Sequence, residues 1–151
     1  MLNKNYNVAR LFYEGEITVA RVKEISSLLD QLHPGRKTIK PVTLPSLILY
    51  AHTHRLIVAR YRTKIIGMAT LALFQGFSQV YGEVKEVVVD QKHRGRGVAR
   101  ALMEEVMSTA KRSEVSILVL MSGDQRKEAH RLYESLGFEK RSKTNKFALR
   151  L

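Results

Sequence analysis

The stretch Val87-Val88-Val89-Asp90-Gln91-Lys92-His93-Arg94-Gly95-Arg96-Gly97-Val98-Ala99-Arg100 decides how this chain is read. A β-branched run breaks into a basic, glycine-rich turn. The turn opens at once into apolar residues at helical spacing, Val98, Leu102, Val106 and Ala110. A strand that feeds a glycine turn at a helix N-terminus suits phosphate. The first helical N–H groups have no intrahelical partner, and the helix dipole adds positive potential there. Glycine lets the backbone come close to an anion, and Arg94, Arg96 and Arg100 add charge. The segment is expected to hold a pyrophosphate.

Outward from this join, Val80 to Val89 reads as a central strand, Gly97 to Arg112 as a helix and Val115 to Met121 as a buried strand. Upstream, Val8 to Phe12 reads as a strand. Apolar positions from Ile17 to Leu32 then recur at helical spacing until His33-Pro34-Gly35 stops them. Pro41 to His54 reads as a short helix. Leu56 to Arg60 and Lys64 to Phe74 read as a hairpin around Tyr61-Arg62-Thr63, with Gly67 marking a bulge. Downstream, Gln125 to Leu136 reads as a helix with Asp124 as its N-cap and Gly137 as its stop. Phe138 to Arg141 and Lys146 to Leu151 read as the last strands. The expected fold is α/β (α+β), one domain over residues 1–151. Its mixed central sheet has about six to seven strands, flanked by about four helices.

The 151 residues suit one domain with a real core. No segment approaches the roughly 20 apolar residues needed to span a bilayer, and the start lacks the apolar region of a signal peptide. No membrane association and a cytoplasmic location are therefore expected. With no cysteine there is no disulfide, no thiolate metal site and no cysteine nucleophile. The five histidines show no spacing with carboxylates that suggests a metal site. The net charge is +12 and uneven: residues 31–82 hold no Asp or Glu but carry Arg36, Lys37, Lys40, Arg55, Arg60, Arg62 and Lys64. Such a field can steer an acidic partner. It also fits loose nucleic-acid binding, but no aromatic-basic or recognition-helix pattern accompanies it, which disfavours that class.

A P-loop needs Lys-Ser/Thr after its second glycine, and Gly97 is followed by Val98-Ala99. A dinucleotide fingerprint needs a third glycine, and that position is Arg100. Arg94-Gly95-Arg96-Gly97-Val98-Ala99 instead fits Arg/Gln-x-x-Gly-x-Gly/Ala, and so resembles the pyrophosphate loop of the GNAT superfamily of acyl-CoA-dependent N-acyltransferases. Glu83 to Asp90 is similar to the family's central strand. Glu128-Ala129-His130-Arg131-Leu132-Tyr133-Glu134-Ser135-Leu136-Gly137-Phe138-Glu139 is similar to its late helix-to-strand signature. The motifs occur in the family's order and cover residues 64–142.

The resemblance implies acetyl transfer from acetyl-CoA directly to a primary amine, with no metal. It implies that the backbone of Val87, Val88 and Val89 pairs with the pantetheine. Arg94, Gly95, Arg96, Gly97, Val98, Ala99 and Arg100 would hold the pyrophosphate. Tyr133 resembles the tyrosine that protonates the leaving thiolate, and Glu83 resembles a general-base glutamate. Glu86 is its rival. Strand alternation places Glu83, Lys85, Val87 and Val89 on one face and Val84, Glu86 and Val88 on the other, so only one glutamate is expected to face a given site. The basic segments lie where the family builds its acceptor groove, which favours an acidic small molecule or peptide as acceptor. A non-catalytic acyl-CoA-binding module is the alternative, and a homodimer is left open.

Overall fold

A computed structural model describes residues 4–11, 14–35 and 41–140. The elements run β1 (Tyr6–Arg10), α1 (Val19–Leu32), α2 (Leu44–Thr53), β2 (Arg55–Tyr61), β3 (Lys64–Gln75), β4 (Val80–Val89), α3 (Val98–Arg112), β5 (Val115–Leu120) and α4 (Lys127–Ser135). The described residues gather into two compact units, divided between Met121 and Ser122. The second unit carries α4.

The strands of the first unit form one sheet in the order β1-β2-β3-β4-β5. The first three pairings are antiparallel, and β4 pairs with β5 in parallel. A parallel pair needs a crossover, and α3 supplies it. The sheet is therefore mixed, as the element order implies. Five strands are present among the described residues, against six to seven expected. Lys146 to Leu151 lies outside the described residues, as does Arg141, and Phe138 to Lys140 carry no strand. The first strand starts at Tyr6 and ends at Arg10, not Phe12, which also lies outside them. β5 is half-exposed rather than buried, with Ile117 and Val119 exposed, and among the described strands it pairs only with β4.

Local chemistry explains the ends. Thr43 and Ser46 form a capping box: the Thr43 hydroxyl accepts from the Ser46 N–H at 3.3 Å, and the Ser46 hydroxyl accepts from the Thr43 N–H at 2.8 Å. Each satisfies an orphan donor, so α2 begins at Leu44 rather than Pro41. The β2–β3 turn is tight, with Arg62 left-handed at φ 54°. Register slips between Ala59 and Arg60 opposite Gly67 and Ile65, so Ile66 is an extra residue beside Gly67. A Cβ on Gly67 would stand 3.1 Å from the Val88 carbonyl oxygen and 3.2 Å from Leu102 Cδ1. The glycine is there because β4 and α3 come that close. On α4 the N-cap is Arg126, whose N–H reaches the Gly123 carbonyl at 3.0 Å, so Asp124 is not the cap.

Two layers cover the sheet. Ile25, Leu28 and Leu32 of α1 and Leu47 and Ala51 of α2 pack on Leu56, Val58, Met68 and Val88. On the other face lie Val98, Leu102, Met103, Val106 and Ala110, the buried stripe of α3. Leu102 is fully buried. Leu102→Ala should cost about 2–5 kcal/mol, the range for deleting a buried leucine side chain. Urea denaturation of the two proteins checks this as a lower midpoint with an unchanged slope.

Candidate functional site

The site begins where β4 outruns its neighbour. β4 and β5 are paired from Val80/Val115 to Val84/Leu120, and β4 continues to Val89. On the β5 side, Lys85 to Val89 have no strand partner among the described residues. Backbone N–H and C=O groups left this way need another partner, and an amide-bearing ligand can be one. Val87, Val88 and Val89 lie in this stretch.

A bulge sets the direction of that free end. Met68 pairs with Val88 and Thr70 with Lys85, so residues two apart on β3 face residues three apart on β4. Glu86 is left-handed at φ 54°. An odd step inverts the side-chain alternation. Val88 packs on the α1–α2 face with Met68, and Glu86 turns its carboxylate to Thr70 on that same face. Lys85 pairs with Thr70, and Glu83 is ion-paired to Lys85 at 3.3 Å. Glu83 and Glu86 thus share one face. The strict alternation expected from sequence fails because a bulge adds a residue that periodicity does not reveal.

The loop after β4 is pinned at several points. The Asp90 carboxylate accepts from the Lys92 N–H at 2.9 Å and from Gln31 Nε2 of α1 at 3.1 Å. Gln31 Oε1 in turn accepts from the Gln91 N–H at 3.0 Å. Burial works to raise the Asp90 pKa, but these hydrogen bonds and the charges of His93 and Lys64 hold it below the ordinary carboxylate value. Arg94 Nε donates to the Val89 carbonyl at 3.0 Å, and Arg96 donates to the Tyr6 hydroxyl at 3.2 Å. Gly95 and Gly97 are both left-handed, at φ 70° and 78°. The first bond of α3 runs from the Ala101 N–H to the Gly97 carbonyl, so the N–H groups of Val98, Ala99 and Arg100 precede the helical ladder. The buried Val98 side chain anchors that turn, while Arg94, Gly95, Arg96, Gly97 and Arg100 are exposed. The segment predicted to hold a pyrophosphate is thus an exposed loop with two left-handed glycines that opens into the first turn of α3. The Gln31 clamp has no sequence signal, because it joins residues about sixty positions apart.

Beside the free end lies a cavity of about 230 Å³ between α1, α2 and the sheet. Ile25, Leu29, Pro41, Val42, Leu47, Leu56 and Met68 give it apolar walls, and Ser46, Tyr50 and Glu86 its polar groups. Tyr50 donates to Glu86 Oε2 at 2.7 Å, and Thr70 donates to the same oxygen at 3.2 Å. Burial and the Glu86 charge push the Tyr50 hydroxyl above its ordinary pKa, so it stays a donor. His54 stacks on Tyr50 with centroids 4.3 Å apart, and His52 is exposed. Sequence reading singled out Glu86 but missed Tyr50 and Thr70. Arg36, Lys37 and Lys40 lie outside the described residues.

In the second unit, Tyr133 sits on α4, half-buried, with its ring edge-on to Phe138 at 6.1 Å. Burial pushes its hydroxyl above the ordinary value, against a smaller opposing pull from Arg126.

A family model described as the acetyltransferase (GNAT) family matches residues 22–138. The chain is 37% identical over 67 residues to the N-acetylaspartate synthetase of Danio rerio, an alignment covering 44% of this chain but 24% of that protein. The chain therefore spans about a quarter of the length of that relative. It is 26% identical over 141 residues to the IAA acetyltransferase of Azospirillum brasilense, covering 91% of this chain and 86% of the other. Among solved structures, an aminoglycoside acetyltransferase from an uncultured soil metagenomic sample, in complex with trehalose, superposes with a TM-score of 0.81. That match has 14% identity over 98% of this chain and 99% of the other, and it bears on fold alone.

Proposed function

The chain belongs to the GNAT acetyltransferase family, and from that premise we propose that it moves an acetyl group from acetyl-CoA directly to a primary amine. One observation carries the reading. The end of β4 that outruns β5 continues into a loop with two left-handed glycines and the first turn of α3, whose helical ladder begins at the Ala101 N–H. Backbone donors along this path fit two successive parts of an acyl-CoA, the amides of its pantetheine arm and its pyrophosphate.

The thioester of acetyl-CoA supplies the activated acyl group. The backbone of Val87, Val88 and Val89 pairs with the pantetheine, and an N–H of this strand end donates to the thioester carbonyl as it gains negative charge. Arg94 to Arg100 hold the pyrophosphate through backbone N–H groups, with side-chain charge adding to it. Glu83 accepts a proton from the amine through water. The nitrogen forms a bond to the acyl carbon, the carbon–sulfur bond breaks, and Tyr133 delivers a proton to the departing thiolate. No covalent enzyme intermediate and no metal enter this scheme. Residues 1–151 are read as one N-acetyltransferase domain, since the family match runs across the division at Met121 and Ser122. A cytoplasmic, non-membrane setting belongs to the same proposal; no described helix is long and apolar enough to cross a membrane.

The test is calorimetric titration with acetyl-CoA, followed by thiol release with a panel of primary amines. One-to-one binding and amine-dependent release support the reading; no binding overturns it. Backbone donors do most of the holding, and the Arg96 side chain is exposed. Arg96→Ala should therefore weaken acetyl-CoA only about three- to tenfold, the value of one partly solvated charge. The same titration reads this as a larger dissociation constant with unchanged stoichiometry.

A further inference from the structure

We propose that the cavity between α1 and α2 is the acceptor subsite, and that it selects a monoamine with a compact apolar body, received as its ammonium by Glu86. This rests on the acyltransferase reading above and adds the acceptor class, which that reading leaves open. Five observations carry it.

Glu86 immediately precedes Val87–Val89, the strand end assigned to the thioester, so an ammonium held at Glu86 arrives beside the acyl group. It sheds one proton to bulk water to free its lone pair, and gives the second to Glu83 as the nitrogen bonds to the acyl carbon. Its carboxylate is fixed in place: Tyr50 and Thr70 both donate to Oε2, at 2.7 and 3.2 Å. A carboxylate has about four lone-pair sites, so capacity remains, Oε1 above all, for an incoming N–H. Next, Glu86 is the only charged group among the described residues that line the cavity. Its neighbour Glu83 is ion-paired to Lys85, so among the described residues Glu86 brings the one uncompensated charge to the lining. An acceptor carboxylate or phosphate would enter against that charge. Among the described lining residues no basic group is present to receive an acidic acceptor.

The walls set the body. Ile25, Leu29, Leu47 and Met68 offer no hydrogen bonds, so a sugar or a second ammonium would be stripped of water without replacement. The volume sets the size. A dry apolar cavity of roughly 150 Å³ takes up benzene, and this one, at about 230 Å³, has room for a ring and a short alkyl arm.

The probes are 2-phenylethylamine, spermidine and L-glutamate, with acetyl-CoA and the full chain. The expected result is a kcat/KM for phenylethylamine at least about tenfold above the other two, the worth of one well-made charged hydrogen bond or a filled apolar pocket. Glu86→Gln should then raise the KM for phenylethylamine about tenfold, with kcat within about threefold and the acetyl-CoA dissociation constant unchanged. Highest turnover with glutamate or spermidine overturns the proposal, as does an unchanged KM in Glu86→Gln. If Glu86→Gln does not fold, Tyr50→Phe keeps the ring and removes one hydrogen bond to Glu86. It should raise the same KM about two- to threefold, and no change overturns the proposal. Acetyl-CoA titration separates the two levels. If the wild-type chain does not bind acetyl-CoA, the acyltransferase reading fails and this one with it. If it binds acetyl-CoA and prefers another amine class, only the acceptor assignment fails.

Discussion

Gly97→Glu abolishes measurable acetyl-CoA binding at concentrations that saturate the wild type. Two costs add. Gly97 holds φ 78° at the entry to α3, and a side chain in that left-handed region costs roughly 1–2 kcal/mol. The new carboxylate would also stand at the N-terminus of α3, where the pyrophosphate is assigned. Two like charges about 4 Å apart near a protein surface repel by about 4 kcal/mol. Together these exceed a hundredfold in affinity, at about 1.4 kcal/mol per factor of ten. Gly97→Ala isolates the first cost and should lose about five- to thirtyfold. Melting curves for both variants separate loss of the loop from loss of the fold. Wild-type affinity in Gly97→Glu would remove the pyrophosphate assignment, because the geometry leaves no way to bind that anion beside it.

Tyr133→Phe lowers kcat by about a hundredfold or more, the usual contribution of a positioned general acid. Acetyl-CoA affinity should stay within about twofold, since only an oxygen is lost and the ring can keep its contact with Phe138. The pH profile gives a second reading. Burial raises the Tyr133 pKa above its ordinary value of 10.0. The hydroxyl therefore keeps its proton as pH rises through 10, and an alkaline limb due to its ionisation should lie above that point and vanish in Tyr133→Phe. Unchanged turnover would make Tyr133 a packing residue. If, in addition, no amine turned over in the wild type, the protein would be an acyl-CoA-binding module without catalysis.

The Val87–Arg100 segment was legible because its signal is local. A β-branched run, paired glycines and a helical stripe each follow from the preferences of adjacent residues, and Val98, Leu102, Val106 and Ala110 all proved buried on α3. The stop at His33-Pro34-Gly35, the Arg62-Thr63 turn and the bulge beside Gly67 were readable for the same reason. The capping box on α2 was also local, but serine in place of glutamate at its second position hid it and shifted the helix start.

Periodicity failed at Glu86. Alternation assumes one residue per step, and the bulge on β4 depends on how β3 registers against it across the sheet, with Met68 and Thr70 choosing Val88 and Lys85. From that one slip follow the shared face of Glu83 and Glu86 and the opening of Glu86 into the cavity. Gln31 clamping Asp90 and Tyr50 holding Glu86 are likewise contacts between residues far apart in the chain. By itself the sequence determined the order of the described elements and the glycine turn that opens α3, because backbone preference and side-chain period act over a few residues. Only the tertiary structure decided where β4 parts from β5 and which carboxylate faces the cavity. Those depend on strand register and packing, which no local preference encodes.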